Sequence, residues 1–513
     1  MKPKNTLHLL VLILLFWAFL FGIYVRVIAV ARADFPVNDG GMFYQMVEDL
    51  VHENFRLPLT TTYNQLGIPY AYPPLMFYLA GLLEKAGINL IQVFRWLPLI
   101  FSILTIPAFW WFAKLLARDS ILAAFATTLF ALLPRSFEWL VMGGGLSRAP
   151  GALFYILFAA SLLLVFRERR RQWIIPAILF GGLILLTHPE RSLHAVVTGA
   201  LIWLFFNRSR SGFFHAAIIS IGVLVISALW WAPLIFRLGF DPLLQVMSVG
   251  GNRLLFWAPM LLLNFTDEAI PLVAIFSAVG FIYAISRRDW FLPLWTLLTF
   301  LADPRSAVHV IPVQASILAA MTVSRVLFPS LAGSSDVSWS EVIHRPLGRV
   351  VMGYLLILML VNGQLGASKI AENLVLAAGD RTALEWVSQN TPPDSKYLVY
   401  STNENPALSP ILEWFPALGK RMSLSTYQGR EWLTGGENYA QYWEDLETWQ
   451  ICLYRDETCL AELPARLAES TTHIYFSLGE NQHNNSLAQS LLHSNQYSIV
   501  YQTDSTWIFE KKQ

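Results

Sequence analysis

Long apolar runs separated by short polar breaks fill the first 370 residues of the chain. The first, Leu7–Ala31, follows Lys2 and Lys4 and is as long as a membrane-spanning helix, longer than the core of a signal peptide, which predicts a retained anchor. Further apolar segments at 91–116, 119–135, 149–166, 173–187, 192–206, 214–237, 270–285, 290–302, 307–328 and 350–368 bring the expected spans to about 11, several of them short. From "DRTALEWVSQNTPPDSKYLVYST" onward the pattern changes. Strand-like runs ("KYLVYS", "RMSLSTY", "THIYFSL", "YSIVYQ", "STWIFEK") alternate with helical stretches and no span follows, which predicts a small α/β domain. The expected organisation is a membrane domain over 1–369, with a large first loop at 32–90, and an α/β domain over 370–513.

Basic residues orient the segments, because Lys and Arg are retained in short cytoplasmic loops. With the N-terminus inside, Lys114 and Arg118, "RERRR" (167–171), "NRSR" (207–210) and "SRRD" (286–289) all fall inside. This parity requires that "YAYPPLMFYLAGLLEKAG" (70–87) not cross; it is expected as a helix along or dipping into the membrane surface, started by Pro73 and Pro74. The loops at 32–90, 135–148, 188–191, 238–269 and 303–306, and the tail, then lie outside. Asp34, Asp39, Glu48, Asp49, Glu138, Glu190, Asp267, Glu268 and Asp303 share that face. Solvated loop acids are the plain reading of most of them, Glu48 and Asp49 included.

Composition agrees with a multi-pass membrane protein: of 513 residues, 55% are hydrophobic and only 14% charged. A net charge of +1 gives no electrostatic case for nucleic acid. There is no P-loop, dinucleotide fingerprint, HExxH or G-x-S-x-G, so ATP-driven transport and standard hydrolase chemistry lack support. Cys452 and Cys459 lie in the tail, where an external location permits a disulfide; a free pair is the other reading.

Acids beside a bilayer on its outer face suit glycosyl transfer from a lipid carrier. That reaction needs a carboxylate to orient the acceptor, take its proton or hold a divalent cation, and a cation or Arg to stabilise the departing phosphate. Asp39, in "NDGG", and Arg148, directly after "MGGGLS", are of these types. An acid in the first loop ("NDGGMFYQMVEDLVHENF"), an aromatic-Pro-x-Leu element ("AYPPL"), the stretch from "IQVFRWLPLIF" to "LSRAPGALF" and the junction "ALEWVSQNTPPDSKY" together resemble the GT-C superfamily of membrane glycosyltransferases. Within it the chain is most similar to the catalytic subunit of oligosaccharyltransferase, and more distantly to protein O-mannosyltransferases and the lipid A aminoarabinose transferase.

The resemblance implies a polyprenyl-phosphate sugar donor, an external site, and Asp39 as the catalytic acid. It also implies Arg305, beside a proline-broken helix, as a donor phosphate ligand together with Arg148. Where the family carries a second acid-x-acid element this chain reads "LSR" (146–148), which speaks against a metal held by both loops; Glu138 could substitute. Where the oligosaccharyltransferase reads its asparagine acceptor with Trp-Trp-Asp, this chain has "LVYSTNEN" (398–405), which speaks against asparagine sequons. "LTHPERSLHA" (186–195) and "LADPRSAVHVIPVQA" (301–315) add His188, Glu190, Arg191 and His309 as further site candidates, since ionisable groups near membrane depth usually face a cavity. A divalent cation, Mg or Mn, is the expected cofactor if there is one. His188, Glu190 and His309 form an alternative Zn or Mn set, without a recognised spacing. The loop at 241–265 either covers a lipid groove or forms an interfacial helix pair. The competing class is a non-catalytic lipid or polysaccharide transporter or scaffold that keeps the GT-C fold.

Overall fold

The computed structural model describes residues 3–249, 258–333, 339–403, 405–463, 470–478 and 485–512. Every segment expected to span is helical. The first ten helices are α1 (Pro3–Ala31), α2 (Gly41–His52), α3 (Leu75–Lys85), α4 (Leu90–Ala117), α5 (Ser120–Leu132), α6 (Glu138–Val141), α7 (Gly145–Phe166), α8 (Ile174–Thr187), α9 (Pro189–Phe206) and α10 (Arg210–Leu238). Helices Leu272–Ser286, Phe291–Ala302, Pro312–Thr322 and Pro346–Asn373 complete the apolar set.

The count of spans differs from the expected eleven. Six helices among the described residues are long and apolar enough to cross a bilayer, or seven if α5 and Pro134–Val141, bent by 86°, count as one. Helix length is the reason: the 13 residues of α5 rise only about 20 Å against a hydrocarbon core of about 30 Å. Between α5 and α6 the chain breaks at Leu133–Pro134, and Arg26, fully buried in α1, serves the broken end. Its guanidinium donates to the carbonyl oxygens of Gly22 and Ala131 and to the hydroxyls of Ser102 and Ser136. A charge inside an apolar helix is tolerated where exposed carbonyls and hydroxyls satisfy it. Asn89 and Asp119 cap α4 and α5 by accepting from backbone N–H groups of their first turns. Segment 70–87 forms no span; α3 begins directly after Pro74 and packs on α2 and α4.

After Asn373 the chain builds a five-stranded sheet in the order β2-β1-β3-β5-β4. Its strands are β1 (Lys396–Ser401), β2 (Met422–Ser423), β3 (His473–Ser477), β4 (Tyr497–Gln502) and β5 (Thr506–Lys511). β2, β1 and β3 run parallel while β5 is antiparallel to β3 and β4, with Val399 opposite Tyr475 and Tyr475 opposite Ile508. The expected strand "RMSLSTY" shrinks to two residues because the hydroxyl of Ser425, in place of a backbone carbonyl, accepts from Val399 N–H at 2.9 Å. Cys452 and Cys459 are joined in a disulfide.

The first loop is built into this region. Trp414, on the helix Pro410–Gly419, is buried against Phe35 at 4.7 Å and donates its indole N–H to Asn38 O at 2.9 Å. Asn64 exchanges two hydrogen bonds with the Ser423 backbone. Asp49, expected in solvent, is buried: its carboxylate accepts from the side chains of Gln45, Thr61 and Thr62 and from Thr62 N–H. Glu48 pairs with Lys420. The apolar face of α2 therefore packs against protein, and these acids fix the loop to its neighbours. Of the loop at 241–265, residues 250–257 lie outside the described set; before them α11 (Asp241–Ser248) reaches the C-terminal region, where Ser248 Oγ accepts from Gly436 N–H.

Candidate active site

Asp39 and Arg148 meet where the first loop crosses the start of α7. Arg148 Nη2 donates to both Asp39 oxygens, at 2.9 and 2.7 Å, and Gly144 N–H donates to Oδ1 at 2.8 Å. Each side chain is just under one-fifth exposed. The approach depends on glycine. A Cβ on Gly143 would lie 2.0 Å from Asp39 O, and one on Gly144 would lie 2.7 Å from Asp39 Oδ2. Gly40 takes φ +116, open to glycine and strained for other residues, and brings its Cα face against Gly143. "NDGG" and "GGG" thus act as one unit: Val37 O accepts from Gly143 N–H while Asn38 N–H reaches Leu374 O.

The Arg148 guanidinium is held on its other edge by Trp139. Its Nε donates to Trp139 O at 3.1 Å and its carbon stands 5.3 Å from the Trp139 ring centroid. His309 packs edge-on against the same ring at 5.3 Å. Tyr72 donates to or accepts from Ser147 Oγ at 3.1 Å, and burial first, then the Glu190 and Asp39 charges, hold its phenol above the usual range. Arg305 and Glu190 form an ion pair at 3.4 Å. Arg191 is buried, with Tyr155, Glu190 and Arg148 as its polar and charged neighbours. Burial first, and then the surrounding guanidiniums, Arg191 and Arg148 among them, push His188 and His309 below the usual histidine value. Asp39, Arg148, Glu190, Arg191, Arg305, His188 and His309 therefore belong to one neighbourhood, to which Asp303 and Glu431 beside Arg305 and Glu413 beside Asp39 add further carboxyl groups.

Glu138 does not join it. It is buried, with Asp267, Arg135 and Lys369 as its charged neighbours, and a Cβ on Gly366 would touch its Oε1 at 2.6 Å. Arg135 and Asp267 pair beside it at 2.6 Å. Glu138 therefore cannot serve as the second acid with Asp39. The expected metal sets fare no better. Among the described residues no three His, Cys, Asp or Glu gather to hold a metal ion, and both Asp39 oxygens already accept from Arg148.

Glu413 escaped the sequence reading. Its Oε1 accepts from Gly40 N–H at 3.3 Å and Met42 N–H at 3.2 Å, fixing the turn that carries Asp39 and the start of α2. Burial first, and the nearby Asp39 charge next, push its carboxyl up to about 8, against those two backbone donors. A lone acid inside the apolar "PILEWFPAL" was the available signal. Tyr427 and Glu431, both half-buried, close the same side, with Glu413 and Asp39 among the charges around Tyr427.

Residues 70–370 match the family model described as 6-pyruvoyl-tetrahydropterin synthase related domain; membrane protein. The chain belongs to this family. That description gives the 6-pyruvoyl-tetrahydropterin synthase related family a membrane location, in agreement with the apolar helices. No curated protein matches the chain. Among solved structures, the oligosaccharyltransferase of Archaeoglobus fulgidus in its apo form aligns with 98% of this chain and 74% of its own, at 15% identity and a TM-score of 0.54. The arabinofuranosyltransferase AftD from Mycobacteria aligns with 97% of this chain but 40% of its own, at 13% identity and a TM-score of 0.57. ArnT from Cupriavidus metallidurans, bound to undecaprenyl phosphate, aligns with 96% of this chain and 97% of its own, at 13% identity and a TM-score of 0.50. At these identities the likeness is one of fold, and the fold is that of the GT-C membrane glycosyltransferases.

Proposed function

We propose that this chain transfers a sugar from a polyprenyl-phosphate-linked donor to an acceptor on the extracytoplasmic face, with the N-terminus cytoplasmic and the C-terminal α/β domain outside. The observation that carries the reading is the glycine-walled Asp39–Arg148 pair within a cluster that also holds Arg191 and Arg305. Arg148, Arg191 and Arg305 offer guanidinium donors to an anion, and a sugar phosphate supplies one. Two of the similar structures are described with a dolichol-phosphate or undecaprenyl phosphate, which supports a lipid-linked donor.

In this reading the acceptor's X–H group lies on Asp39. Its proton passes to the carboxylate as the bond from X to the anomeric carbon forms and the carbon–oxygen bond to phosphate breaks. The phosphate leaves with the bonding pair, toward Arg148, Arg191 and Arg305. Arg148 is the shared element: it neutralises Asp39 when the site is empty and turns toward the phosphate when donor arrives. The guanidinium supplies the positive charge that a cation would bring.

Purified protein, supplied with a panel of labelled polyprenyl-phosphate sugars and envelope acceptors, tests the reading. Turnover that disappears in Asp39→Asn is the expected result. Tight donor binding with no product from either protein would instead favour the non-catalytic lipid-binding or transport role, and equal product from both would remove Asp39 as the catalytic carboxylate.

A further inference from the structure

At the end of α4 and α7 remote from Asp39, a cavity of about 370 Å³ opens between the helices, lined by Trp110, Trp111, Lys114, Arg118, Glu168 and Trp173. The 22 residues of α7 separate it from the Asp39 site by about 33 Å of helix, so it is a different place with a different set of groups. Its chemistry is mixed in a specific way. Lys114 stands 4.9 Å from the Trp110 ring centroid, Trp111 and Trp173 rings lie 5.2 Å apart, and Arg118 pairs with Glu168 at 2.7 Å. The indole N–H groups of Trp110 and Trp173 are buried without a hydrogen-bond acceptor. Arg170 adds a third cation to the rim, which leaves Glu168 as the one acid among the lining residues.

Three cations against one acid, in a cavity walled by indole rings, ask for an anionic group. Three indoles at a helix end, beside apolar helix surface at Ile100 and Leu104, ask for acyl chains attached to it. The geometry points to a binding site for the phosphodiester headgroup of an anionic phospholipid in the cavity formed by Trp110, Lys114, Arg118 and Trp173. Basic pockets between membrane helices recognise such headgroups by charge, and the lysine and arginine density of "RERRR" places this one in the cytoplasmic leaflet under the proposed orientation. The site stands apart from the transferase reading. A lipid seated there ties the far ends of α4 and α7, two helices that also carry the active-site end, to the leaflet opposite the donor.

The test is native mass spectrometry of delipidated full-length protein in neutral detergent, titrated with phosphatidylglycerol, phosphatidylcholine or glycerol 1-phosphate. Wild type is expected to retain phosphatidylglycerol at least tenfold better than phosphatidylcholine. Lys114→Gln with Arg118→Gln should remove that preference, whereas Glu168→Gln should strengthen it several-fold by deleting the one acid of the lining. Opposite signs from neighbouring positions cannot come from a folding defect. Equal binding of the two phospholipids, or phosphatidylglycerol retention unchanged in both variants, would overturn the inference. Glycerol 1-phosphate competing as well as the intact lipid would overturn the lipid assignment.

Discussion

Two acid–arginine pairs lie on either side of the short helix α6, Asp39 with Arg148 and Asp267 with Arg135, and they differ in their walls. The Asp267 pair, as exposed as the Asp39 pair, has side chains for walls: Arg135 N–H binds Thr266 O, buried Glu138 stands beside it, and the side chain of Pro134 packs behind against Gly366. The Asp39 pair is walled by glycine backbone, has one indole ring and two imidazoles around it, and lies beside two further guanidiniums. A paired acid is by itself weak evidence of function, since such pairs often serve only structure. What separates the two is the glycine backbone and the further guanidiniums around Asp39, and the proposed role of Asp39 rests on these.

That contrast breaks most sharply at Gly144. Gly144→Ala places a Cβ within 2.7 Å of Asp39 Oδ2 and 2.8 Å of Arg148 Nη2, so the pair must separate, and transfer should fall roughly 100-fold with the protein still folded. Wild-type rates from that variant would show that the pair's geometry is irrelevant to turnover. Arg148→Lys keeps the charge but cannot span both oxygens and Trp139 O together. Losing one charged hydrogen bond, about 1.5–3 kcal/mol, predicts a roughly tenfold to hundredfold lower kcat/KM. Glu413 sharpens the comparison through pH. Its carboxyl is raised from 4.5 to about 8, so the folded state holds an extra proton between those values and stability declines as pH rises across them. Glu413→Gln keeps an oxygen for Gly40 and Met42 and removes the charge, so its Tm should change less than that of wild type between pH 5 and pH 9. A chelator gives the smallest expected effect. With Arg148 supplying the charge, transfer in EDTA should stay within about twofold of its rate with Mg or Mn.

Much of this arrangement was readable in the sequence because it depends on local pattern. Strand β1 is buried at five of six positions and reads as a continuous apolar run; Pro74 announces α3; "NDGG" and "GGG" mark backbone that can approach closely. What escaped depends on contacts distant in sequence. Asp49 and Glu413 look like ordinary loop and helix acids until residues 12 and more than 370 positions away supply their donors. Glu138 has the right spacing from "LSR" to replace a missing acid, yet the 86° turn after α5 aims it at the helix Pro346–Asn373. Hydropathy gave the apolar segments but not their lengths, because short helices buried among others need not reach across the bilayer by themselves.

The most direct test of the account measures transfer of labelled sugar from a polyprenyl-phosphate donor by Asp39→Asn and Asp267→Asn side by side, each normalised to folded protein. The account predicts at least a 100-fold loss for the first. The second should lose stability, of the order of 3 kcal/mol, while its rate per folded molecule stays near that of wild type. Equal rates in the two variants, or a greater loss from Asp267→Asn, would contradict the assignment of Asp39 as the catalytic carboxylate.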